Sequence, residues 1–173
     1  ITPTAQSVTY GDNVTLSGYS YVLDTSGYLS AGDQSSDSVS GSITAASNYS
    51  QGSDVGTYYL NYSTGALTSS LGYSFTYANN STGVSVGQRT ISVSLTSTAS
   101  KTYDGTTSAT LSGSNYSISN LYNSEVIGIS STGSVYGDKN VGTGKSISIT
   151  GMTLTGAKAG NYVLSSTSVS GNI

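Results

Sequence analysis

Carboxylates and tyrosines are the side chains of this chain with the most obvious chemistry. Its 173 residues include no histidine and no cysteine. There is no histidine to act as a general base near neutrality, and no thiol to serve as nucleophile or metal ligand. Of the eight acidic residues, Glu125 is the single glutamate. Two carboxylates suffice in principle for glycoside hydrolysis, but none of these stands in a catalytic motif and most lie in turn sequences, so no enzyme activity and no cofactor are expected. Calcium-binding loops place Asp or Asn at alternate positions with Gly. Asp12, Asp33, Asp37 and Asp54 are scattered singly, so no metal site is expected.

The triplets Tyr10-Gly11-Asp12 and Tyr103-Asp104-Gly105 pair a phenol with a carboxylate, a combination that grips sugars. The turn reading is stronger. Gly supplies a left-handed position, Asp caps the turn and Tyr anchors it to a core. Fifteen tyrosines against one Phe and no Trp keep a second possibility open. Tyr19, Tyr21, Tyr59, Tyr62, Tyr116 and Tyr122 are candidate ligand contacts, because exposed Tyr beside Asn and Ser stacks on and hydrogen-bonds sugars. The competing reading is that tyrosine is the core aromatic here. Asn-X-Ser/Thr sequons at Asn13, Asn48, Asn61, Asn79, Asn80 and Asn115 are candidate glycosylation sites.

These residues need a scaffold, and period-two alternation says what it is. Tyr58/Leu60/Tyr62, Tyr73/Phe75/Tyr77, Ile91/Val93/Leu95, Tyr116/Ile118, Ile147/Ile149 and Tyr162/Leu164 place large groups on one face of strands. Turns are expected at Gly11-Asp12, Thr64-Gly65, Asp104-Gly105, Gly133-Ser134 and Gly137-Asp138. The irregular stretch from Ser26 to Ser53 has room for one short helix, opening near Ser35 to Val39. The expected fold is mostly β.

The scaffold is written twice. Val8 to Gly18 is echoed by Lys101 to Gly113, and Val55-Gly56-Thr57 by Val141-Gly142-Thr143. Two tandem β-rich modules, β-grasp-like or sandwich-like, are expected at 1–93 and 94–173. Each repeat is long enough to carry its own small core. A connector from Thr90 to Ser100, continuing as the Ile91/Val93/Leu95 strand, is expected to stiffen the joint.

Composition narrows the partners. Only 8% of residues are charged, against about 25% in an average soluble domain. The net charge of −3 comes with only five basic residues, which leaves no basic stripe for nucleic acid or anionic lipid. No stretch approaches the roughly 20 apolar residues of a membrane span. Without cysteine, stability rests on packed strands. The chain opens at Ile1 with neither an initiator Met nor a signal segment, and reads as a piece of something longer.

The first module, through Val8-Thr9-Tyr10-Gly11-Asp12, Leu29-Ser30-Ala31-Gly32-Asp33, Val55-Gly56-Thr57-Tyr58 and Gly72 to Tyr77, resembles the MBG domain of the YGX type. The second resembles the YDG domain, through Lys101 to Thr107, Asp138 to Lys145, Leu154-Thr155-Gly156-Ala157 and Ala159-Gly160-Asn161-Tyr162. The resemblance implies a large filamentous-haemagglutinin-like adhesin, exported by two-partner secretion to the surface or surroundings of a Gram-negative bacterium. There such modules form tandem arrays in adhesion, aggregation or biofilm formation. The expected role is therefore a stalk or spacer, monomeric as a fragment, whose partners are neighbouring repeats. The alternative is a module that binds a polysaccharide or host glycoprotein through exposed tyrosines.

Overall fold

The structure, a computed structural model, describes residues 1–21, 38–63, 67–165 and 168–173. The chain divides into two units, Ile1–Gly87 and Gln88–Ile173. The boundary thus precedes residue 93, and the stretch Thr90 to Ser100, read as a connector, lies in the second unit, where Ile91 is fully buried.

In the first unit the strands are β1 (Thr2–Pro3), β2 (Gln6–Thr9), β3 (Tyr19–Ser20), β4 (Val39–Ser40), β5 (Thr44–Ser47), β6 (Gly56–Ser63), β7 (Thr68–Ser69) and β8 (Asn79–Gly87). A four-stranded sheet in the order β2-β8-β6-β5 carries the core, and β1-β3 and β4-β7 form separate pairs. Alternation makes the sheet amphipathic. Leu60 and Tyr62 of β6, Val84 of β8 and Val8 of β2 are buried together, with Tyr19, Tyr49, Tyr58 and Tyr77 packed against them. The opening of the expected helix, at Ser35, and the Thr64-Gly65 turn lie outside the described residues; from Ser38 onward that stretch forms β4 and β5.

The second unit contains β9 (Arg89–Leu95), β10 (Ala99–Ser100), β11 (Ser108–Ala109), β12 (Tyr116–Ser119), β13 (Gly128–Ser130), β14 (Gly133–Tyr136), β15 (Lys145–Thr150), β16 (Thr153–Thr155), β17 (Tyr162–Leu164) and β18 (Ser168–Asn172). A five-stranded sheet, β10-β18-β15-β14-β11, stands beside a three-stranded one, β12-β9-β17, and the pair β13-β16. One core cluster gathers Tyr116, Ile129 and Ile149. Two sequence expectations change here. Gly133-Ser134 opens strand β14 rather than a turn. In the first unit, Tyr73, Phe75 and Tyr77 alternate in burial as expected, yet their stretch joins no sheet.

The two units repeat one strand order. β2 runs parallel to β8, β8 antiparallel to β6, and β6 antiparallel to β5. Equally, β10 runs parallel to β18, β18 antiparallel to β15, and β15 antiparallel to β14. The echo in the sequence is therefore a duplicated topology, in which the first segment of each unit lies parallel beside the last.

That pairing extends along each unit. In the first, the Ile1 ammonium donates to the Thr76 carbonyl at 2.6 Å and the Ala78 N–H to the Ile1 carbonyl at 2.8 Å. Farther along, Gln6 to Thr9 pair with Val84 to Gly87. In the second, Arg89 to Ile91 pair with Tyr162 to Leu164, and Ala99–Ser100 with Gly171–Asn172, the register slipping by one residue between the blocks.

Between its pairings with Tyr58 and Leu60, β8 passes from Val84 to Asn80, so Ser81, Thr82 and Gly83 form a bulge. A Cβ on Gly83 would collide with Leu60 Cβ and lie 3.0 Å from the Leu60 nitrogen. Gly83→Ala is therefore expected to destabilise the chain by about 1–3 kcal/mol through overpacking. Gly87→Ala, whose Cβ would meet only the Val8 oxygen at 3.8 Å, is the control in thermal denaturation. Equal losses from the two would rule out the steric explanation.

Candidate functional site

Most of the second unit's motif residues gather where one end of its five-stranded sheet meets the turns. β10 leads into the turn Lys101 to Thr107 and returns as β11, the opposite edge strand of the sheet. Lys101 ties this turn together. Its ammonium donates to the Thr106 carbonyl, the Thr106 hydroxyl and the Ser108 carbonyl, each at 3.0 Å, and sits 2.7 Å from Asp104 Oδ1. The charge lies 6.0 Å from the centroid of the buried Tyr136 ring. Asp104 Oδ1 also accepts from the Thr106 N–H and hydroxyl at 2.9 Å, an Asx-turn, while Gly105 takes φ +75°.

A second fastener repeats the design. Lys145 at the start of β15 bonds Asp138 Oδ1, which also accepts the Asn140 N–H at 2.8 Å. Hydrogen bonds from the two lysines, before those from turn N–H groups, hold both carboxyls below the usual range, Asp104 at about 2. Close by, the C-terminal strand is pinned. The Tyr136 hydroxyl donates to the Asn172 carbonyl at 3.0 Å, the Gly144 N–H to Asn172 Oδ1 at 3.0 Å, and Gly142 and Ile173 exchange two backbone bonds of 2.9 Å.

A groove of about 390 Å³ opens beside this turn, lined by Ser97, Thr98, Ser100, Ser108, Thr110 and Asn115 among others. It offers hydroxyls and an amide. Asp104, the acid that lines it, is engaged by Lys101.

The first triplet is built differently. Tyr10 is fully buried, its N–H donating to the Gly87 carbonyl at 2.9 Å. Gly11 takes φ +82° and the Asp12 N–H closes the turn on the Thr9 carbonyl. The Tyr49 hydroxyl and the Gln51 amide bond the Asp12 and Gly11 carbonyls from outside. In the second triplet Tyr103 is 54% exposed, so it does not anchor its turn. The register explains why. Lys101 donates its N–H to the Asn172 carbonyl as Tyr10 does to Gly87, so Lys101, not Tyr103, is the counterpart of Tyr10.

The candidate ligand tyrosines do not form one exposed patch. Tyr62 and Tyr116 are core residues, although Tyr116 also borders a surface groove with Ile118 and Ile129. Tyr19 is half-buried, edge-on to Tyr62 with ring centroids 6.5 Å apart. Tyr21 and Tyr122 are half-buried, and Tyr59 is exposed. Among the described residues only Tyr59 and Tyr103 are exposed tyrosines. Of the sequon residues, Asn13 and Asn79 are exposed, as is Asn48, although its Oδ1 accepts the Tyr59 N–H at 3.0 Å. Asn61, Asn80 and Asn115 are half-buried, and their side-chain oxygens cap the N–H groups of Asn80, Thr82 and Ser112.

Sequence reasoning missed Lys101, Lys145, Tyr136 and Asn172. The signal was present as a Lys three residues before Asp104 and another seven after Asp138. It missed, too, the buried Tyr162 hydroxyl, which donates to Glu125 at 2.6 Å and accepts the Tyr122 N–H at 3.1 Å. Burial, then the bond to Glu125, pushes this phenol's pKa up. The Tyr116 hydroxyl, by contrast, is buried with no hydrogen-bond partner among the described residues.

A YDG domain is found at residues 87–169. No curated protein and no solved structure matches the chain.

Two outcomes follow from these geometries. Tyr162→Phe removes the bonds to Glu125 and the Tyr122 N–H and is expected to cost about 1–2 kcal/mol, whereas Tyr116→Phe removes an unsatisfied group and is neutral or stabilising in denaturant titration. For Asp104, a depressed native pKa means stability present above the unfolded value and lost as pH falls from about 4 towards about 2. The melting temperature of the wild type should therefore exceed that of Asp104→Asn at pH 6, with the gap closing near pH 2. A gap independent of pH would refute the ion-pair account.

Proposed function

We propose that the chain is a structural repeat segment, a stalk or spacer, of a large bacterial secreted or surface adhesin. On this reading the first unit is an MBG-type module beside the YDG domain. The parent protein is exported by two-partner secretion to the outside of a Gram-negative cell, where it serves adhesion, aggregation or biofilm formation. The partners of these modules are neighbouring repeats, and they do no catalysis.

The observation that carries the proposal is the parallel course of first and last segments in each unit. Chain arriving at one end of such a pair leaves at the other, so a module adds length to an array instead of folding back on itself. Arg89 to Lys101, if fully extended, would span roughly 40 Å. Arrays of this kind lengthen by duplication, because each module holds its own core. Inward-facing tyrosines support the same reading, since aromatic surface is used for packing. The hydroxyl-lined groove favours one alternative, a module that binds a neutral glycan.

Two measurements test the proposal together. One, two and four copies of the chain, displayed between a membrane anchor and a fluorescent tip, should raise the tip by a constant increment per copy. The purified chain should be silent against arrays of bacterial polysaccharides and host glycans. Glycan binding abolished by Tyr59→Ala, Tyr103→Ala or Thr110→Val, with no increment in height, would replace the spacer by a lectin-like module.

A further inference from the structure

The parallel pairing of first and last segments has a mechanical consequence. When a chain is pulled by its ends, the force enters a unit at the start of its first segment and leaves at the finish of its last. If those segments are parallel neighbours, the pull runs along the strands and loads all the hydrogen bonds between them at once. If they were an antiparallel hairpin, the same pull would peel the bonds one at a time. Shear demands simultaneous rupture, so the unfolding barrier stays high under load, and forced unfolding is governed by that barrier.

We propose that each unit is a shear-loaded mechanical clamp, so that the chain bears tension as well as spanning distance. The inference stands on the ladder geometry and holds whether or not the stalk reading does. In the first unit the clamp is Gln6 to Thr9 against Val84 to Gly87, extended by the bond from Tyr10 N–H to Gly87. Val8, Tyr10, Val84 and Val86 are all buried, so water cannot readily exchange for the ladder bonds as they stretch.

The second unit uses two short blocks in series along one pair of segments. Arg89 to Ile91 pair with Tyr162 to Leu164, and the Ser165 N–H adds a bond of 2.9 Å to the Ile91 carbonyl. Ala99 and Ser100 pair with Gly171 and Asn172, with Lys101 N–H to Asn172 at 3.1 Å beyond them. Each block is narrow, and the second is reinforced at the point where force leaves. Asn172 is held by Tyr136 and Gly144, and Ile173 by Gly142. The bonds to Tyr136 and Gly142 cross to neighbouring segments, so the exit strand slips only when they break with the ladder.

Single-molecule stretching of the whole chain tests the clamp. Handles at residues 1 and 173 load both units in shear. Handles at Thr102 and Ile173 instead pull apart the adjacent ends of β10 and β18 and peel the same ladder. The end-to-end geometry is expected to need about twofold or more the force of the peeling geometry at equal loading rate.

A matched pair of variants separates clamping from ordinary stability. Ile91→Ala lies in the clamp and Ile129→Ala in the β13–β16 pair outside it, and both isoleucines are buried. Both variants should lower the melting temperature, but only Ile91→Ala should weaken one of the two end-to-end unfolding events. Equal rupture forces in the two pulling geometries, or equal weakening by the two variants, would overturn the clamp.

Discussion

The parallel contact between first and last segments is the constraint on which the rest of each unit depends. Parallel neighbours cannot be joined by a tight turn, so the whole of the intervening chain becomes the crossover. In both units that crossover supplies the remaining strands of the sheet, and these pair antiparallel: β6 and β5 in the first, β15 and β14 in the second. Closeness at the contact also dictates residue types. A Cβ on Gly171 would lie 2.6 Å from the Ala99 oxygen and 2.9 Å from Ile147 Cδ1, so the exit strand must carry glycine where it passes between β10 and the core. Because the ends of a unit must meet before the sheet is complete, folding closes the longest loop available, and the topology is intrinsically slow to form.

A chain with no disulfides and few charges has to hold its turns by other means. Tyrosine hydroxyls do much of this. The rings of Tyr49, Tyr58, Tyr62 and Tyr136 pack inward while their hydroxyls donate to the carbonyls of Asp12, Asp54, Gly18 and Asn172, all at turns or strand ends. Phenylalanine would fill the same volume and leave those carbonyls to water. The near replacement of Phe and Trp by Tyr is thus a packing choice with a polar fastener attached. It also explains why so many tyrosines leave only two exposed among the described residues.

Strand content and duplication were legible in the sequence, because alternation over Tyr58–Tyr62, Ile91–Leu95 and Ile147–Ile149 reports a half-buried pleat directly. Pairing was not. Tyr73, Phe75 and Tyr77 alternate just as well, yet their stretch joins no sheet, since alternation reports a buried face and says nothing of a ladder partner. Gly133-Ser134 has turn composition but lies in β14, where the Ser134 hydroxyl, buried, donates to the Ala109 carbonyl at 2.7 Å. The boundary near residue 93 was invisible for a related reason. β9 belongs to the second unit through ladders to β12 and, more than seventy residues away, to β17, and alternation names neither partner.

The site was misread at one position, and the physics of that position accounts for the motif around it. The triplets' residue types match Tyr10 with Tyr103, whereas the hydrogen-bond register matches Tyr10 with Lys101. In the first unit the residue after the ladder is a buried aromatic, which asks little of its surroundings. In the second it is a cation whose side chain is only 16% exposed, and a charge so placed needs several acceptors. Asp104, the Thr106 carbonyl and hydroxyl, and the Ser108 carbonyl meet that need, with Tyr136 supplying the ring below. Bringing Asp104 and Thr106 to one ammonium requires the turn that Gly105 permits at φ +75°. The Asp and Gly of the triplet are thus consequences of the lysine three and four residues earlier, while the tyrosine that gives the triplet its first letter is exposed.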